Sequence, residues 1–271
     1  MNELDFIGYI LKEASAYIRA KYAGRTRIQV REKNGVNDLL TDVDLAVQKQ
    51  IVDRISSAFP ADSILAEEAG LDQNPGAAPA RCWIIDPIDG TQNFVRGLFP
   101  AFGITIAFAR EGQIACAGVS LPITQDLFLA ERGAGAFRNA QSIRVSQHED
   151  LSRARMLVDF SIPQHREPTL AAFGGILRKA GSVRCNGSAV VDLCSVACGE
   201  ADAYVHVGLN PWDYAAGQLL VEEAGGRATR LDGSPLNVFD GGHGLIASNG
   251  YLHELALSQI FQSETHSHTT G

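Results

Sequence analysis

Apolar residues recur at helical spacing near the start of the chain. Phe6, Ile7, Ile10, Leu11, Ala14, Tyr17 and Ile18 line one face, which predicts an amphipathic helix over residues 3–22. A charged stretch from Arg25 to Asn37 follows, with Asn34-Gly35 as a turn signal. A second helix begins at Thr41-Asp42, carries Leu45, Ala46, Ile51, Val52 and Ile55, and ends at Phe59-Pro60. Ile64-Leu65-Ala66 reads as a short strand that delivers Glu67-Glu68, and residues 70–80, rich in Pro, Gly and Ala, read as a loop. Trp83-Ile84-Ile85 is a buried strand running into the acidic turn Asp86-Pro87-Ile88-Asp89-Gly90-Thr91. The pattern then predicts strands over 103–109, 113–119 and 126–130. Turn signals at Glu111-Gly112 and Pro122 part them into an antiparallel meander, and residues 133–137 form a tight glycine-rich bend.

The second half alternates. Strands over 155–158, 182–184, 203–207 and 245–248 interleave with helices over 169–179, 187–199, 212–224 and 251–261. Ala216, Leu219, Leu220 and Ala224 share one helical face, and Gly225-Gly226 caps it. A meander followed by strand–helix alternation predicts layered sheets and helices of the α/β (α+β) class. The chain turns polar over 138–150. That divides it into an N-terminal unit, 1–143, and a C-terminal unit, 144–262, with a disordered polar tail over 263–271. No internal repeat is visible.

At 271 residues and 45% hydrophobic content the chain can build a real core. Its net charge of −8 argues against a general nucleic-acid binder. A phosphate ligand would therefore need a local positive source, which bound metal and backbone N–H groups can supply. The five cysteines are odd in number and lack metal-finger spacing, so Cys194 and Cys198 read as small core residues ahead of a zinc site. Free thiols fit a reducing cytoplasm. The acidic start Met1 to Asp5 lacks the pattern of a signal peptide, and no stretch approaches a transmembrane length. A cytoplasmic protein without a membrane partner is expected.

The acidic turn carries the chemistry. Asp86 and Asp89 would repel unless a cation lay between them, and hard divalent ions take such oxygen ligands. Gly90 lets a backbone approach a ligand, and a helix opening at Thr91 would offer free N–H groups to an anion. The same residues are also ordinary turn chemistry. Glu67 follows a strand where side chains begin to face a cleft, and Glu68 should point elsewhere if the backbone is extended. Asp213 could simply cap the helix it begins, and capping explains at least one of Asp38, Asp42 and Asp44.

The joint pattern is specific. Asp38 to Asp44, Ala66-Glu67-Glu68, Trp83 to Phe94 and Trp212-Asp213 together resemble the inositol monophosphatase family, over about residues 3–262. Gly187-Ser188-Ala189, Ala201 to Tyr204 and Glu223 to Gly226 extend the likeness. The resemblance implies a layered αβαβα sugar-phosphatase fold, with an antiparallel-rich first sheet and a mixed second sheet. It also implies a homodimer, lithium sensitivity and two to three Mg²⁺ ions. Glu67, Asp86 and the carbonyl of Ile88 match ligands of the first ion, and Asp86, Asp89 and Asp213 those of the second. Asp44 and Thr91 match the pair that orients the attacking water. Gly90 and Thr91 offer N–H groups to phosphate. Gly187, Ser188 and Ala189, together with Asp89 and Asp213, match contacts to the substrate's alcohol.

One position departs from the family. His206 stands where inositol phosphatases carry a Glu that hydrogen-bonds ring hydroxyls. An imidazole donates as well as accepts, so the substrate's hydroxyl pattern is in question, although a buried structural histidine reads equally well. Inositol 1-phosphate is the default substrate, and histidinol phosphate and fructose bisphosphate are the rivals. An amine substrate would favour an acidic subsite, for which His206 gives no support. Lys33 matches a loop near the metals and reads as a phosphate contact or a solvated lysine. From another class, some relatives imply a non-catalytic module in RNA processing or transcription.

Overall fold

The computed structural model describes residues 1–23, 28–33, 38–69, 79–97, 99–258 and 260. The predicted Asn34-Gly35 turn, most of the 70–80 loop and the 263–271 tail lie outside them. In chain order the elements are α1 (Glu3–Ala23), β1 (Val30–Glu32), β2 (Leu39–Thr41), α2 (Asp42–Ala58), β3 (Ser63–Ala66), β4 (Arg81–Asp89) and α3 (Thr91–Arg96). There follow β5 (Gly103–Arg110), β6 (Gln113–Leu121), β7 (Asp126–Glu131), β8 (Gly135–Arg138) and β9 (Gln141–Ser142). The second half holds β10 (Arg155–Val158), α4 (Arg166–Lys179), β11 (Ser182–Arg184), α5 (Ala189–Ala197), β12 (Ala203–Leu209), α6 (Pro211–Glu223), β13 (Arg227–Thr229) and β14 (His243–Ser248). Residues 253–258 are again helical.

Strands β3 to β9 form a seven-stranded sheet in sequence order. Only the β3–β4 pair in it is parallel. The five-stranded sheet runs β11-β10-β12-β14-β13 and is mixed, with β10 parallel to both its neighbours and β14 antiparallel to both of its own. Helices α1 and α2 cover the outer face of the large sheet, burying Ile7, Ile10, Val47 and Ile51 against Trp83, Ile85, Ile106 and Phe108. Helices α5 and α6 lie between the two sheets, with Leu193, Leu219 and Leu220 in one core with Ile84, Ala107, Tyr204 and Leu245. Phe173 and Ile176 of α4 and Leu252 and Ala256 close the outer face of the small sheet. The result is the expected αβαβα layering.

Helix α1 sits directly on β6 because residue 118 is glycine: a Cβ there would lie 2.6 Å from Ile7 and 2.7 Å from Leu11. Several elements differ from the sequence reading. The charged stretch after α1 contains β1, which pairs with β2. The glycine-rich bend at 133–137 is a turn that runs straight into β8, since Gly135 to Arg138 pair with β7. Strand β13 carried no alternation long enough to detect.

Candidate active site

Strand β4 is buried along its length because apolar layers cover both faces of its sheet. Its pairing with β5 is regular up to Asp86, opposite Thr105, and then slips, so that Asp89 stands opposite Gly103. Three residues on one strand thus match two on the other. Residues three apart normally point to opposite faces; the inserted residue turns Asp89 to the side of Asp86. Pro87 lies in this irregular segment, where its missing N–H costs no ladder bond. Asp86 accepts from the Ile88 amide at 2.9 Å. Asp89 accepts from the Ser188 hydroxyl and, at 2.8 Å, from the Val190 amide at the start of α5.

Asp213 arrives from the first turn of α6 in the middle layer. Asn210 caps α6 and Asp213 completes a capping box, accepting from the Asn210 amide at 2.7 Å. The Thr105 hydroxyl donates to the Trp212 carbonyl at 3.1 Å and ties the start of α6 to β5. The sequence left capping and cleft roles open for Asp213, and the structure gives it both positions. Carboxylate oxygens of Asp86, Asp89 and Asp213 lie within 4.8 Å of one another.

Burial pushes the Asp86 carboxyl well up, and Glu67, Asp89 and Asp213 push it further. Asp213 is raised in the same way, by burial and then by Asp89 and Glu67. Asp89 rises to about 6, its burial offset in part by its bonds from Ser188 and Val190. A divalent cation shared among these oxygens would relieve both burial and repulsion. An all-oxygen donor set suits Mg²⁺ better than zinc.

Glu67 lines the same cleft as Asp86, Ile88, Asp89, Gly90, Thr91 and Asp213. It does not diverge from Glu68 as an extended backbone would require. Residues Glu67–Ala69 form a 3₁₀ turn, so both carboxylates reach the half-buried Lys33 ammonium, Glu67 at 2.7 Å and Glu68 at 2.5 Å. Lys33 is therefore neither free in solvent nor aimed at an open anion site. Burial pulls its pKa down, but the two glutamates outweigh that and raise it. Glu68 is pushed up to about 7 by burial and by Glu67, against the pull of Lys33.

Asp44 is fully buried at the start of α2. One oxygen accepts from the Thr41 amide at 2.8 Å and from the Thr41 hydroxyl, completing a second capping box. Its other oxygen lies 3.2 Å from the Thr91 hydroxyl, which can alternatively donate to the Ile88 carbonyl at 2.9 Å. Burial raises Asp44 to about 6 despite the Thr41 bonds. Gly90 precedes α3 with φ +86°, and a Cβ on it would lie 2.8 Å from the Ala101 carbonyl, so only glycine fits. Asn93 donates to the carbonyls of Ala101 and Asn186, each at 2.7 Å, and so holds the Gly187-Ser188 turn against α3. The helix predicted from Gly187 begins at Ala189, with Ser188 as its cap.

The other end of the cleft, about 500 Å³ in volume, is lined by Gly187, Ser188, Ala189, Asp159, His165 and His206. His206 is buried on β12, and its Nδ1 accepts from the Gly208 amide at 3.0 Å. Parallel pairing of β10 with β12 sets Val158 beside Val205 and so brings Asp159 next to His206, with 3.8 Å between Oδ2 and Nε2. The His165 ring stands edge-on to His206 at 5.5 Å. Asp159 and His165 were missed in the sequence, as was the bracing role of Asn93. The only available signal for Asp159 was a carboxylate just past a predicted strand.

Oxygen donors drawn from the large sheet and from helix α6 into one cleft, beside a hydroxyl–carboxylate pair and a helix start, are the layout of a phosphoric monoester hydrolase. Residues 2–265 match the inositol monophosphatase family, and the chain belongs to that family of phosphatases. It is 39% identical over 224 residues, 82% of each chain, to the Nus factor SuhB of Vibrio cholerae. It is 35% identical over 258 residues, 94% of each chain, to the fructose-1,6-bisphosphatase/inositol-1-monophosphatase of Thermotoga maritima. Among solved structures, a Thermotoga maritima IMPase superposes with a TM-score of 0.84 at 31% identity, covering 98% of this chain and 99% of that one. Among the described residues, no helix is long and apolar enough to cross a membrane.

Proposed function

We propose that this chain is a Mg²⁺-dependent phosphomonoesterase of small polyol or sugar phosphates, with inositol 1-phosphate as the reference substrate and histidinol phosphate and fructose 1,6-bisphosphate as rivals. The observation that carries the reading is the gathering of Asp86, Asp89 and Asp213 within 4.8 Å. We assign Glu67, Asp86, Asp89, Asp213 and the Ile88 carbonyl to two or three ions. Bound there, magnesium supplies positive charge to the phosphate oxygens and makes a water acidic at neutral pH. The amides of Gly90 and Thr91 hold the phosphate. The Thr91 hydroxyl passes its hydrogen toward Asp44 and accepts one from the attacking water, so Asp44 must be ionised. Gly187, Ser188, Ala189 and His206 face the leaving alcohol.

Hydrolysis of a panel of phosphate esters with and without Mg²⁺ tests this directly. Magnesium-dependent release of phosphate is expected, and its absence for every ester would sink the assignment. Millimolar Li⁺ should inhibit, and we expect a cytoplasmic homodimer, both from the family likeness. A second reading, as an RNA- or transcription-associated module, is favoured by the name of the Vibrio cholerae relative, a Nus factor. Full rescue of a deletion strain by a catalytically dead Asp89→Asn chain would put that reading first.

A further inference from the structure

Asp159 gives the alcohol end of the cleft a charge that the sequence did not reveal. Its Oδ1 accepts from the Ser161 amide at 2.7 Å and lies 3.7 Å from the Cys185 thiol. Its Oδ2 faces His206 Nε2 at 3.8 Å, too long for a strong hydrogen bond. The carboxylate is mostly buried, with 15% side-chain exposure, and lines the cleft.

Among the described residues, no lysine or arginine pairs with Asp159. His206 Nδ1 accepts the Gly208 amide hydrogen, and a nitrogen that accepts carries no proton of its own. That leaves Nε2 as the ring nitrogen that donates toward Asp159. Burial disfavours His165 as a cation. Among the described residues lining the cleft, Lys33 is the one lysine or arginine, and Glu67 and Glu68 both hold it.

We infer that Asp159, with the His206 and His165 rings beside it, forms a cation-accepting subsite for the leaving alcohol, and that the preferred substrate is a phosphate monoester whose alcohol bears a protonated amine. The inference rests on the phosphatase reading and narrows its substrate class. An ammonium entering beside Asp159 replaces water at Oδ2 with a charge-assisted hydrogen bond. A polyol hydroxyl at the same point gains only a hydrogen bond to a charged acceptor and leaves the buried negative charge uncompensated. Glu in place of His206 would repel Asp159; an N–H donor there tolerates it.

Two matched pairs test the subsite with Mg²⁺ present near neutral pH. They are 2-amino-1,3-propanediol phosphate against glycerol 1-phosphate, and glucosamine 6-phosphate against glucose 6-phosphate. Each pair exchanges one ammonium for one hydroxyl. The amine member of at least one pair should have a kcat/KM higher by about tenfold or more, the scale of one charge-assisted hydrogen bond. In Asp159→Asn that ratio should fall toward one. A measurement on the unaltered protein guards against a misfolded variant: free 2-amino-1,3-propanediol should inhibit hydrolysis of 4-nitrophenyl phosphate more strongly than glycerol does. Preference for the hydroxyl member of both pairs, or a ratio that Asp159→Asn leaves unchanged, overturns the subsite while the phosphatase reading stands. Failure to hydrolyse any ester overturns both.

Discussion

The two ends of the cleft are built differently. At the end we assign to phosphate, most acids are locked by their own backbone. Asp86 is held by the Ile88 amide, Asp213 by Asn210 and Asp44 by Thr41. These are contacts within two or three residues, so short sequence motifs carry them. At the end we assign to the alcohol, Asp159 meets His206 only because β10 lies beside β12. No local pattern encodes that neighbour. The fixed end suits chemistry common to a family, and the assembled end is where substrate choice can change without disturbing it.

Several measurements can break or sharpen this contrast. The largest effect is expected from Asp89→Asn. It should lower Mg²⁺-dependent kcat/KM by about a thousandfold or more, the several kcal/mol that metal charge contributes. Without metal, the same variant should melt at or above the parent's temperature, because a repulsive buried charge is gone; circular dichroism with temperature checks this. Next, Thr91→Val should reduce kcat by about a hundredfold or more with KM little changed, the scale of proton-transfer catalysis. A KM effect of that size would move Thr91 from proton transfer to binding. At the other end, His206→Ala should act mainly through KM, by about tenfold, since it removes one donor facing the alcohol. If it lowered kcat as far as Thr91→Val does, the proposed separation of the ends would fail.

The smallest effect concerns pH. Asp44 and Asp89 rise to about 6 and Glu68 to about 7. Each holds its proton more tightly folded than unfolded, where carboxyls titrate near about 4. Between about pH 4 and 7 the fold therefore binds more protons, and these groups lower stability as pH rises. Metal-free protein should melt a few degrees lower at pH 7 than at pH 5, and Mg²⁺ should reduce the difference. Activity should move the opposite way, falling below about pH 6 as Asp44 takes up a proton and can no longer accept one from Thr91.

What was legible in the sequence follows the same division. The Asp86 to Thr91 turn, Glu67, Asp44 and Asp213 stood out because each combines a distinctive residue with a strand end or helix start. The slip between Asp86 and Asp89 could not be read, since it is set by pairing with β5. Glu68 was misjudged because a 3₁₀ turn replaces an extended backbone just where the strand ends. Strands β1 and β2, three residues each, are too short to show alternation.

Helices α2 and α6 share a device with a consequence for durability. In each, the third residue is an aspartate that closes the first turn and also reaches the site, Asp44 through Thr91 and Asp213 beside Asp86 and Asp89. Fraying of those first turns would thus also displace two of the acids we assign to the active site. Lengthening either side chain by one methylene would be felt twice, and mild heating should silence the enzyme before the rest of the molecule comes apart.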